Sequence, residues 1–311
     1  MTEYNAADQD SEGTVMKIVQ GDQVEWLRGL EYRGGMFHSR RLLEGTPGTI
    51  DNFQVTIGRN DKDFVSPRHR HNFEQFRFQL DGELDFARDG KMQPGMVGYF
   101  PEGMHYGPQT SDMPGQSTAM TIVVQFGGAG GGGYLSAKEV RQGMDELRKI
   151  GRFEDGVFKR NDDVPGKRNR DGYQAIWEHM NNREMPYPKA RYPMPLMMNQ
   201  ANFAWVPLAG QPGVAQKLLG VFSERRAQAD FVKLDPGASY TAEGRGIFVV
   251  VSGTGRVANE PLRAFTATFL EWDEDTTFTA DTEVTMIHFG LPDLRDMALG
   301  GDRMPAAQAA E

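Results

Sequence analysis

The sequence predicts a mostly β protein, built as two antiparallel barrels joined by a helical linker. Residues 50–127 and 201–290 each consist of short runs rich in β-branched and aromatic residues separated by turn residues, a pattern typical of all-β barrels and sandwiches. The two stretches also resemble each other. A shift of 171 residues places Asp81-Gly82 on Ser252-Gly253, each after an apolar run, which indicates one barrel duplicated.

The predicted order along the chain has five parts. They are a mobile, acidic N-terminal tail (1–14), a first barrel with the candidate site (15–127), a glycine-rich and helical linker (128–200), a second barrel (201–295) and a C-terminal tail (296–311). With a shorter later loop, the run from Val124 to Gly127 falls on Ile287 to Gly290, which extends the repeat to the last strand of each barrel.

The linker begins with a flexible run and continues as two helices. Residues 127–133 hold six glycines and one alanine, a composition unsuited to the interior of a helix or strand. Ser136 and Glu139 then have the spacing of a capping box. Two helical faces are predicted from apolar residues at helical spacing: Val140, Met144 and Leu147 for the first helix, and Tyr173, Ile176, Trp177 and Met180 for the second.

Composition narrows the function classes. The chain has 311 residues, 39% hydrophobic and 25% charged, as in globular domains. No apolar run reaches the ~18 residues of a spanning helix, and the N-terminus lacks the pattern of a secretion signal, so a cytoplasmic protein without a membrane partner is predicted. A net charge of -9 disfavours a nucleic-acid partner. The absence of cysteine excludes disulfides, thiolate nucleophiles and cysteine-ligated metals.

Three of the six histidines lie close together in the first predicted barrel. His69 and His71 are two residues apart, so on a strand their rings project from the same face, and Gln75 keeps that parity. His105 follows in a run predicted to form a facing strand or its adjoining turn. The spacing therefore predicts a metal site of His69, His71 and His105, with Gln75 at the fourth position. The alternative is three core histidines in a metal-free barrel.

At these residues the chain resembles the cupin superfamily, and specifically the bicupins. The first cupin motif, approximately G-x5-H-x-H-x3,4-E-x6-G, is matched by His69, His71 and Gly82, and the second, approximately G-x5-P-x-G-x2-H-x3-N, by Gly95, Pro101 and Gly103. The resemblance implies two jelly-roll barrels and one divalent metal ion. Fe(II) is the ion favoured, with Mn(II), Ni(II) and Zn(II) as alternatives, since ligand type alone does not choose among them.

Two positions depart from the cupin pattern. The usual Glu ligand is Gln75 here, and His105 comes one residue earlier after Gly103 than the pattern expects. Gln75 can be a direct amide ligand or can lie behind a three-histidine site, and a register slip would bring Glu74 to the ion instead. Strand parity argues against Glu74, which should face out of the barrel unless a bulge re-aims it.

The second barrel is predicted to hold no metal. The 171-residue shift places the first-motif positions on Tyr240, Ala242 and Gly246, and the region of His105 near Thr276, so no ligand set survives. This barrel is predicted to be structural. A homodimer is expected, because exposed apolar strands of such barrels pair across subunits.

Candidate catalytic residues follow from strand parity and from the second motif. Arg77, two residues after Gln75, faces the interior, where a guanidinium requires a carboxylate from the protein or from a substrate. Tyr99 and Tyr106 lie around the second motif and are candidates to line the pocket, with packing as the alternative.

The function predicted from the resemblance is that of an Fe(II) dioxygenase that cleaves a carbon-carbon bond in an enolised or phenolic, anionic small molecule. Neutral ligands leave the ion its full charge, which attracts anions. Two alternatives stay open. One is a metal-dependent lyase or isomerase that stabilises an enolate as a Lewis acid, and the other is a ligand-binding cupin without catalysis.

Overall fold

The protein consists of two β-barrels with a linker of helices and short strands between them in the chain. The computed structural model describes residues 16–28 and 37–297. The predicted N-terminal tail, residues 1–14, lies outside the described residues, as does the predicted C-terminal tail beyond Met297. Each barrel combines a seven-stranded sheet with a four-stranded sheet, so the prediction of an all-β fold with two barrels is confirmed.

The described strands before the linker are β1 (Lys17–Gln20), β2 (Leu27–Arg28), β3 (Phe37–Glu44), β4 (Phe53–Asp61), β5 (Val65–Ser66), β6 (Phe73–Asp81), β7 (Leu84–Asp85), β8 (Lys91–Met92), β9 (Met96–Phe100), β10 (Gln109–Thr110) and β11 (Thr118–Gly127). The linker contains α1 (Ala137–Leu147), β12 (Gly151–Glu154), β13 (Val157–Arg160), β14 (Asn169–Asp171), α2 (Gly172–Asn181) and β15 (Leu196–Asn199).

The second half contributes β16 (Val206–Pro207), β17 (Val214–Val221), β18 (Gln228–Leu234), β19 (Ser239–Glu243), β20 (Gly246–Ser252), β21 (Gly255–Val257), β22 (Glu260–Leu262), β23 (Thr266–Leu270), β24 (Asp275–Ala280) and β25 (Val284–Gly290). Short 3-10 turns lie at Ala87–Asp89 and Gln200–Asn202.

The two seven-stranded sheets repeat the same strand order. The first is β15-β9-β6-β11-β4-β3-β2 and the second is β1-β23-β20-β25-β18-β17-β16. The 171-residue shift superposes β6 on β20, and both strands have a bulge against the next strand near the same place. The later alignment needs a correction: Gln125 lies opposite Gln75, but Gly290, not His288, lies opposite Gly246. The predicted alignment of the last strands is therefore wrong by two residues. A shift of two residues keeps the same side chains facing the barrel interior, so the alternating sequence pattern could not reveal it.

Each seven-stranded sheet includes one edge strand from the other half of the chain. β1 pairs with β23 of the second barrel, and β15 pairs with β9 of the first. The predicted bounds of 15–127 and 128–200 assign both strands to other parts of the chain. Pairing of this kind covers sheet edges that would otherwise be open, and it means that neither barrel is complete without the other half.

The largest apolar core lies between the barrels. Phe76 on β6 faces outward and stacks on Phe289 of the second barrel, with ring centroids 5.4 Å apart. Because side chains alternate along a strand, Gln75 and Arg77 on either side of Phe76 face the interior of the first barrel. A strand with polar residues inward and apolar residues outward indicates that this interior is a site and not a packed core.

The interior of the second barrel is closed by apolar side chains. Phe248 stands at the position equivalent to Arg77 and packs with Val250, Phe278 and Met286. His288 lies beside this core, with its Nδ1 2.8 Å from Oδ2 of the buried Asp230. This arrangement is the one expected of a structural barrel.

The linker helices form as predicted. Ser136 Oγ accepts the Glu139 N–H at 3.2 Å, and the Glu139 carboxylate accepts the Ser136 N–H at 2.7 Å, which completes the capping box. The predicted apolar faces of α1 and α2 are buried against each other and against Phe73. The linker also contains a small sheet, β12-β13-β14, which was not predicted. In the described ranges, neither helix has the length and apolar character needed to cross a membrane.

Candidate functional site

The interior of the first barrel contains a half-open cavity of about 180 Å³. Strands β3, β4, β6 and β11 provide most of its wall, and Tyr134, Ala137, Val140 and Tyr173 of the linker cover one end. The linker therefore forms part of the site as well as connecting the barrels.

His69 and His71 meet at this cavity, just before β6 begins. Both side chains are buried, and their Nε2 atoms are 3.1 Å apart. His69 Nδ1 lies 2.6 Å from the Pro67 carbonyl oxygen, so in the neutral ring Nδ1 carries the hydrogen and donates it. The Nε2 lone pair then points into the cavity, which is the tautomer that a metal ligand needs.

Tyr106, and not His105, stands beside this pair. His69 and Tyr106 form an antiparallel bridge with N–H···O distances of 3.1 and 2.9 Å, so their side chains project from the same face. Tyr106 Oη lies 3.1 Å from His69 Nε2, whereas His105 is exposed. The structure thus corrects the predicted ligand set. Tyr106 is the third residue after Gly103, the position at which the cupin pattern has its histidine.

Replacing His105 should therefore have little effect. Its imidazole is outside the cavity, and partial burial together with the guanidinium groups of Arg70 and Arg68 lowers its pKa. We expect His105→Ala to change ligand affinity and the content of any bound metal by less than about twofold, as for other surface substitutions. Elemental analysis and calorimetry check this against His69→Ala. Loss of an ion from His105→Ala equal to the loss from His69→Ala would contradict the placement.

Gln75 and Arg77 hold the phenol oxygen of Tyr106 in position. Gln75 Nε2 and Arg77 Nη2 donate to this oxygen at 3.0 and 3.1 Å. Gln75 Oε1 in turn accepts from Arg77 Nη2 at 3.1 Å and from Gln125 Nε2 at 3.2 Å. Of the alternatives left open for Gln75, the structure favours the one in which its amide lies behind the cavity wall and orients Tyr106.

Arg77 donates hydrogen bonds to three neutral side chains. Besides Gln75 and Tyr106, its Nη1 donates to Gln109 Oε1 at 2.8 Å. The guanidinium also lies over the Phe100 ring, with Cζ 4.6 Å from the ring centroid. Arg77 is thus held in one orientation at the cavity, as a substrate clamp requires.

Arg68 fixes the turn that carries Tyr106. Its guanidinium donates to the carbonyl oxygens of His105 and Gly107 at 2.8 and 2.7 Å, and to Asp89 Oδ2 at 2.6 Å. Asp89 Oδ2 also accepts the Gly107 N–H at 2.9 Å. Both carbonyls that flank Tyr106 are therefore anchored, which sets the direction of its ring.

Glu74 and Tyr99 lie on the opposite face of the sheet from the cavity. Glu74 Oε1 accepts from Arg191 Nη1 at 3.2 Å, and burial raises the pKa of Glu74 while Arg191 opposes the rise. The Tyr99 ring stacks on Phe222 with centroids 4.9 Å apart. The parity argument against Glu74 as a ligand agrees with the structure. The candidacy of Tyr99 as a pocket residue is corrected, because it packs between the barrels.

Glu102, near Glu74, should make stability depend on pH. Burial, with Glu74 adding to it, raises the pKa of Glu102 to about 7, from an ordinary 4.5. The folded state then binds a proton that the unfolded state releases, so stability from this group is full below pH 4.5 and is lost as pH rises through 7. We expect the unfolding free energy of the wild type to fall by up to about 3 kcal/mol over this pH range, and that of Glu102→Gln to fall by less. Urea unfolding measures both.

The control for this prediction is Glu260→Gln, which removes a carboxylate from an exposed site. Glu102 also faces Gly130, whose N–H it accepts at 2.8 Å, and Arg191 and Glu224 act on it from further away. Equal pH slopes in the wild type, Glu102→Gln and Glu260→Gln would show that Glu102 does not titrate in this way.

Other cavity residues were missed because they depend on strand register. Two parallel rows cross the sheet, one through Gln54, Gln125 and Gln75, and the next through Arg41, Thr56, Val123 and Arg77. Tyr134 extends the first row, since its hydroxyl donates to Gln125 Oε1 at 2.9 Å. The sequence does contain a signal for these residues, since polar side chains recur at alternate positions of β4 and β11. The sequence analysis did not assign these side chains to the barrel interior.

The donor atoms that meet at the cavity have separations found between metal ligands, but they are not the four ligands predicted from the sequence. Among the described residues, no three His, Cys, Asp or Glu side chains form a group that could hold a metal. Two imidazoles and one phenol oxygen do converge, with His69 Nε2 3.1 Å from both His71 Nε2 and Tyr106 Oη. Adjacent ligands of a six-coordinate ion with bonds of about 2.1 Å lie about 3 Å apart, so both separations from His69 Nε2 match those between neighbouring ligands of a divalent ion.

Comparison with known proteins shows the fold. No family model and no curated protein matches the chain. Solved structures do: a candidate dioxygenase from Nostoc punctiforme (TM-score 0.60, 11% identity, 91% of this chain and 85% of that chain), a candidate glyoxylate-induced protein from Pseudomonas aeruginosa (0.54, 12%, 93% and 93%), and a mutant of Bacillus subtilis oxalate decarboxylase (0.52, 14%, 91% and 79%). The chain has the bicupin fold that the sequence resemblance implied.

Proposed function

We propose that the first barrel is the active site of a metal-dependent enzyme that acts on a small anionic molecule. The observation that carries this proposal is the meeting of His69 Nε2, His71 Nε2 and Tyr106 Oη at a cavity whose wall includes Arg41 and Arg77. Among the described residues lining the cavity there is no Asp or Glu. The charge of the wall therefore favours an anion.

His69, His71 and Tyr106 would hold the ion. A bound iron(II) would supply coordination positions for substrate oxygen atoms and for O2, as in other sites with three protein ligands. The proposed reaction is oxygenation with cleavage of a carbon-carbon bond in an enolised or phenolic anion. The neighbouring structure named as a candidate dioxygenase is compatible with this reaction, although at 11% identity it supports the fold only.

The residues around the trio would position the substrate. Arg77 is fixed by three hydrogen bonds and would pair with an anionic group of the substrate through its guanidinium. Gln109 and Gln125 present amides to the same cavity and would orient neighbouring oxygen atoms. Tyr134 and Tyr173 cover the linker end of the cavity, where they would limit access of water to the reacting groups.

A lyase or isomerase is the second candidate, favoured by the contact between His69 and Tyr106. Tyr106 Oη lies 3.1 Å from His69 Nε2, and Gln75 and Arg77 both donate to it. A proton can therefore be held at the phenol oxygen and shared with the imidazole, which is what proton transfer next to a carbonyl group needs. This reaction consumes no O2 and needs no redox-active metal.

Elemental analysis of protein purified without added metal tests the proposal. We expect about one divalent ion per chain in the wild type and less than about a tenth of that in His69→Ala, as follows from losing one of three ligands. Iron together with substrate-dependent O2 uptake would support the oxygenase, and zinc without O2 uptake would support the second candidate. A wild type that holds no more metal than His69→Ala would overturn the metal-dependent function.

A further inference from the structure

We infer that the substrate carries several neutral hydroxyl groups besides its anionic group, and that Ser39, Gln54 and Thr56 bind them. This inference rests on the proposed function, because it takes the first-barrel cavity as the substrate site. It narrows the anions of that proposal to short polyhydroxylated carboxylates, and it adds three residues that determine specificity.

The three side chains are neighbours on one wall of the cavity. Gln54 and Thr56 are alternate residues of β4, so both project from the same face, about 7 Å apart along the strand. Ser39 on β3 pairs with Gly58, the next alternate residue of β4, which makes Ser39 a diagonal neighbour of Thr56. Diagonal neighbours of this kind lie about 7–8 Å apart. The polar groups of this wall therefore surround one small part of the cavity.

The polar atoms of this wall are buried but are not paired within the protein. Ser39, Gln54 and Thr56 are 8%, 8% and 9% exposed. In the part of the chain that the structure describes, the two hydroxyl groups have no hydrogen-bonding partner. Gln54 Oε1 accepts from Tyr134 at 3.4 Å, whereas Gln54 Nε2 has no partner among the same residues.

Unpaired groups of this kind select for a ligand that hydrogen-bonds. A ligand that displaces water from them without replacing its hydrogen bonds loses affinity. A site with such groups also rejects an analogue that lacks the matching hydroxyl, because its own buried polar atoms then stay unpaired. The wall therefore favours a hydroxylated chain over an alkyl chain of the same length.

The equivalent side chains of the second barrel bind each other. By the shared strand order and register, β18 corresponds to β4, with Gln228 in place of Gln54. Asp230 stands in place of Thr56, and its Oδ2 accepts from Gln228 Nε2 at 2.8 Å. The unpaired state of the wall in the first barrel is thus not a requirement of the fold.

Gly58 leaves room beside these groups. A Cβ atom added at Gly58 would have only the Thr121 carbonyl oxygen within 4 Å, at 3.8 Å. In the second barrel Val232 stands in place of Gly58 and is part of the apolar core. The first barrel therefore keeps a space next to Ser39 that the second barrel fills.

Titration calorimetry with threonate and butyrate at constant ionic strength tests the inference. Both acids have four carbon atoms and one carboxylate, and they differ by the three hydroxyl groups of threonate. We expect the wild type to bind threonate at least about tenfold more tightly than butyrate, since each neutral hydrogen bond contributes roughly twofold to tenfold. In the double variant Ser39→Ala with Thr56→Val this preference should fall below about threefold, with butyrate affinity little changed.

The matched control is Thr276→Val. Thr276 is a buried threonine of β24 in the second barrel and is not part of the described cavity lining. Its replacement should keep the full preference for threonate. Gly58→Leu is a second test, because it fills the space next to Ser39 and should lower threonate affinity at least about tenfold. Circular dichroism checks that all variants are folded.

The titrations are repeated after a chelator has removed any metal, because the hydroxyl groups of threonate are themselves oxygen ligands for a divalent ion. A preference that disappears with the metal would overturn the inference. Equal binding of the two acids by the wild type, or no binding of threonate, would also overturn it. The same holds for an unchanged preference in the double variant, or unchanged threonate affinity in folded Gly58→Leu.

The metal content of the same samples separates this inference from the proposed function. One ion per chain without a threonate preference would remove the hydroxyl-binding wall and leave the metal-dependent function. A preference that depends on Ser39 and Thr56 in a wild type purified without metal would do the reverse.

Discussion

Tyr106→Phe is expected to abolish the site while preserving the barrel. The substitution removes one of the three converging donors, and it leaves Gln75 Nε2 and Arg77 Nη2 without the oxygen to which they donate. We expect metal content to fall at least about tenfold, as for other changes around metal ligands. The unfolding free energy should decrease by about 1–3 kcal/mol because buried donors lose their acceptor.

The comparison for Tyr106→Phe is Tyr99→Phe. Tyr99 is equally buried and also loses a hydroxyl in a polar contact, since Arg191 Nη1 lies 3.2 Å from its Oη. Tyr99 lies on the other face of the sheet, so the Tyr99→Phe protein should be less stable than the wild type but retain its metal. Elemental analysis and urea unfolding on both variants separate the two effects. Full metal occupancy in Tyr106→Phe would show that the phenol oxygen is not a ligand.

Arg77→Met is expected to eliminate binding of anionic ligands. Arg77 is buried, and its guanidinium donates to Gln109, Gln75 and Tyr106. Loss of a buried charged partner typically costs 2–5 kcal/mol of binding, or roughly 30-fold to 5000-fold in affinity. Calorimetry with succinate measures this loss. Arg77→Lys should recover only part of the affinity, because an ammonium group lacks the planar fork of the guanidinium.

The control for Arg77→Met is Arg59→Met, which removes the same single positive charge from a site outside the cavity. Arg59 lies over Trp26, with Cζ 4.9 Å from the ring centroid, and is not part of the described cavity lining. We expect the Arg59→Met protein to bind succinate as tightly as the wild type does. Unchanged succinate affinity in folded Arg77→Met would remove Arg77 from the substrate site.

The fold and the histidine pair could be predicted because they depend on short-range periodicity. Alternation along β6 places Gln75 and Arg77 on one side of the strand, and the same parity extends back to His71 just before it. The apolar faces of α1 and α2 likewise follow from the spacing of residues within each helix. These predictions need no knowledge of which strands pair.

The third donor could not be predicted from parity alone. Nothing in the run from Gly103 to Tyr106 states where the bridge to His69 begins, and a displacement of one residue moves His105 from the cavity to the surface. The departure from the cupin spacing was the available signal. Counting from Gly103 in the family pattern identifies Tyr106, whereas choosing by residue type identifies His105.

Arg41 was missed for a different reason. Its place in the cavity depends on the register of three successive strand pairs between β3 and β6. Register of this kind comes from long-range pairing and from a bulge after Arg41, which single-strand patterns do not contain. The cover provided by Tyr134 and Tyr173 depends in the same way on how the linker folds back over the barrel.

X-ray diffraction from crystals of the wild-type protein, with anomalous data collected at the absorption edge of the metal found by elemental analysis, tests the central claim most directly. The account predicts one anomalous peak in the first barrel, within bonding distance of His69 Nε2, His71 Nε2 and Tyr106 Oη, and none in the second barrel. A peak bound by His105 or Gln75 in place of Tyr106, or a first barrel with no peak, would contradict it.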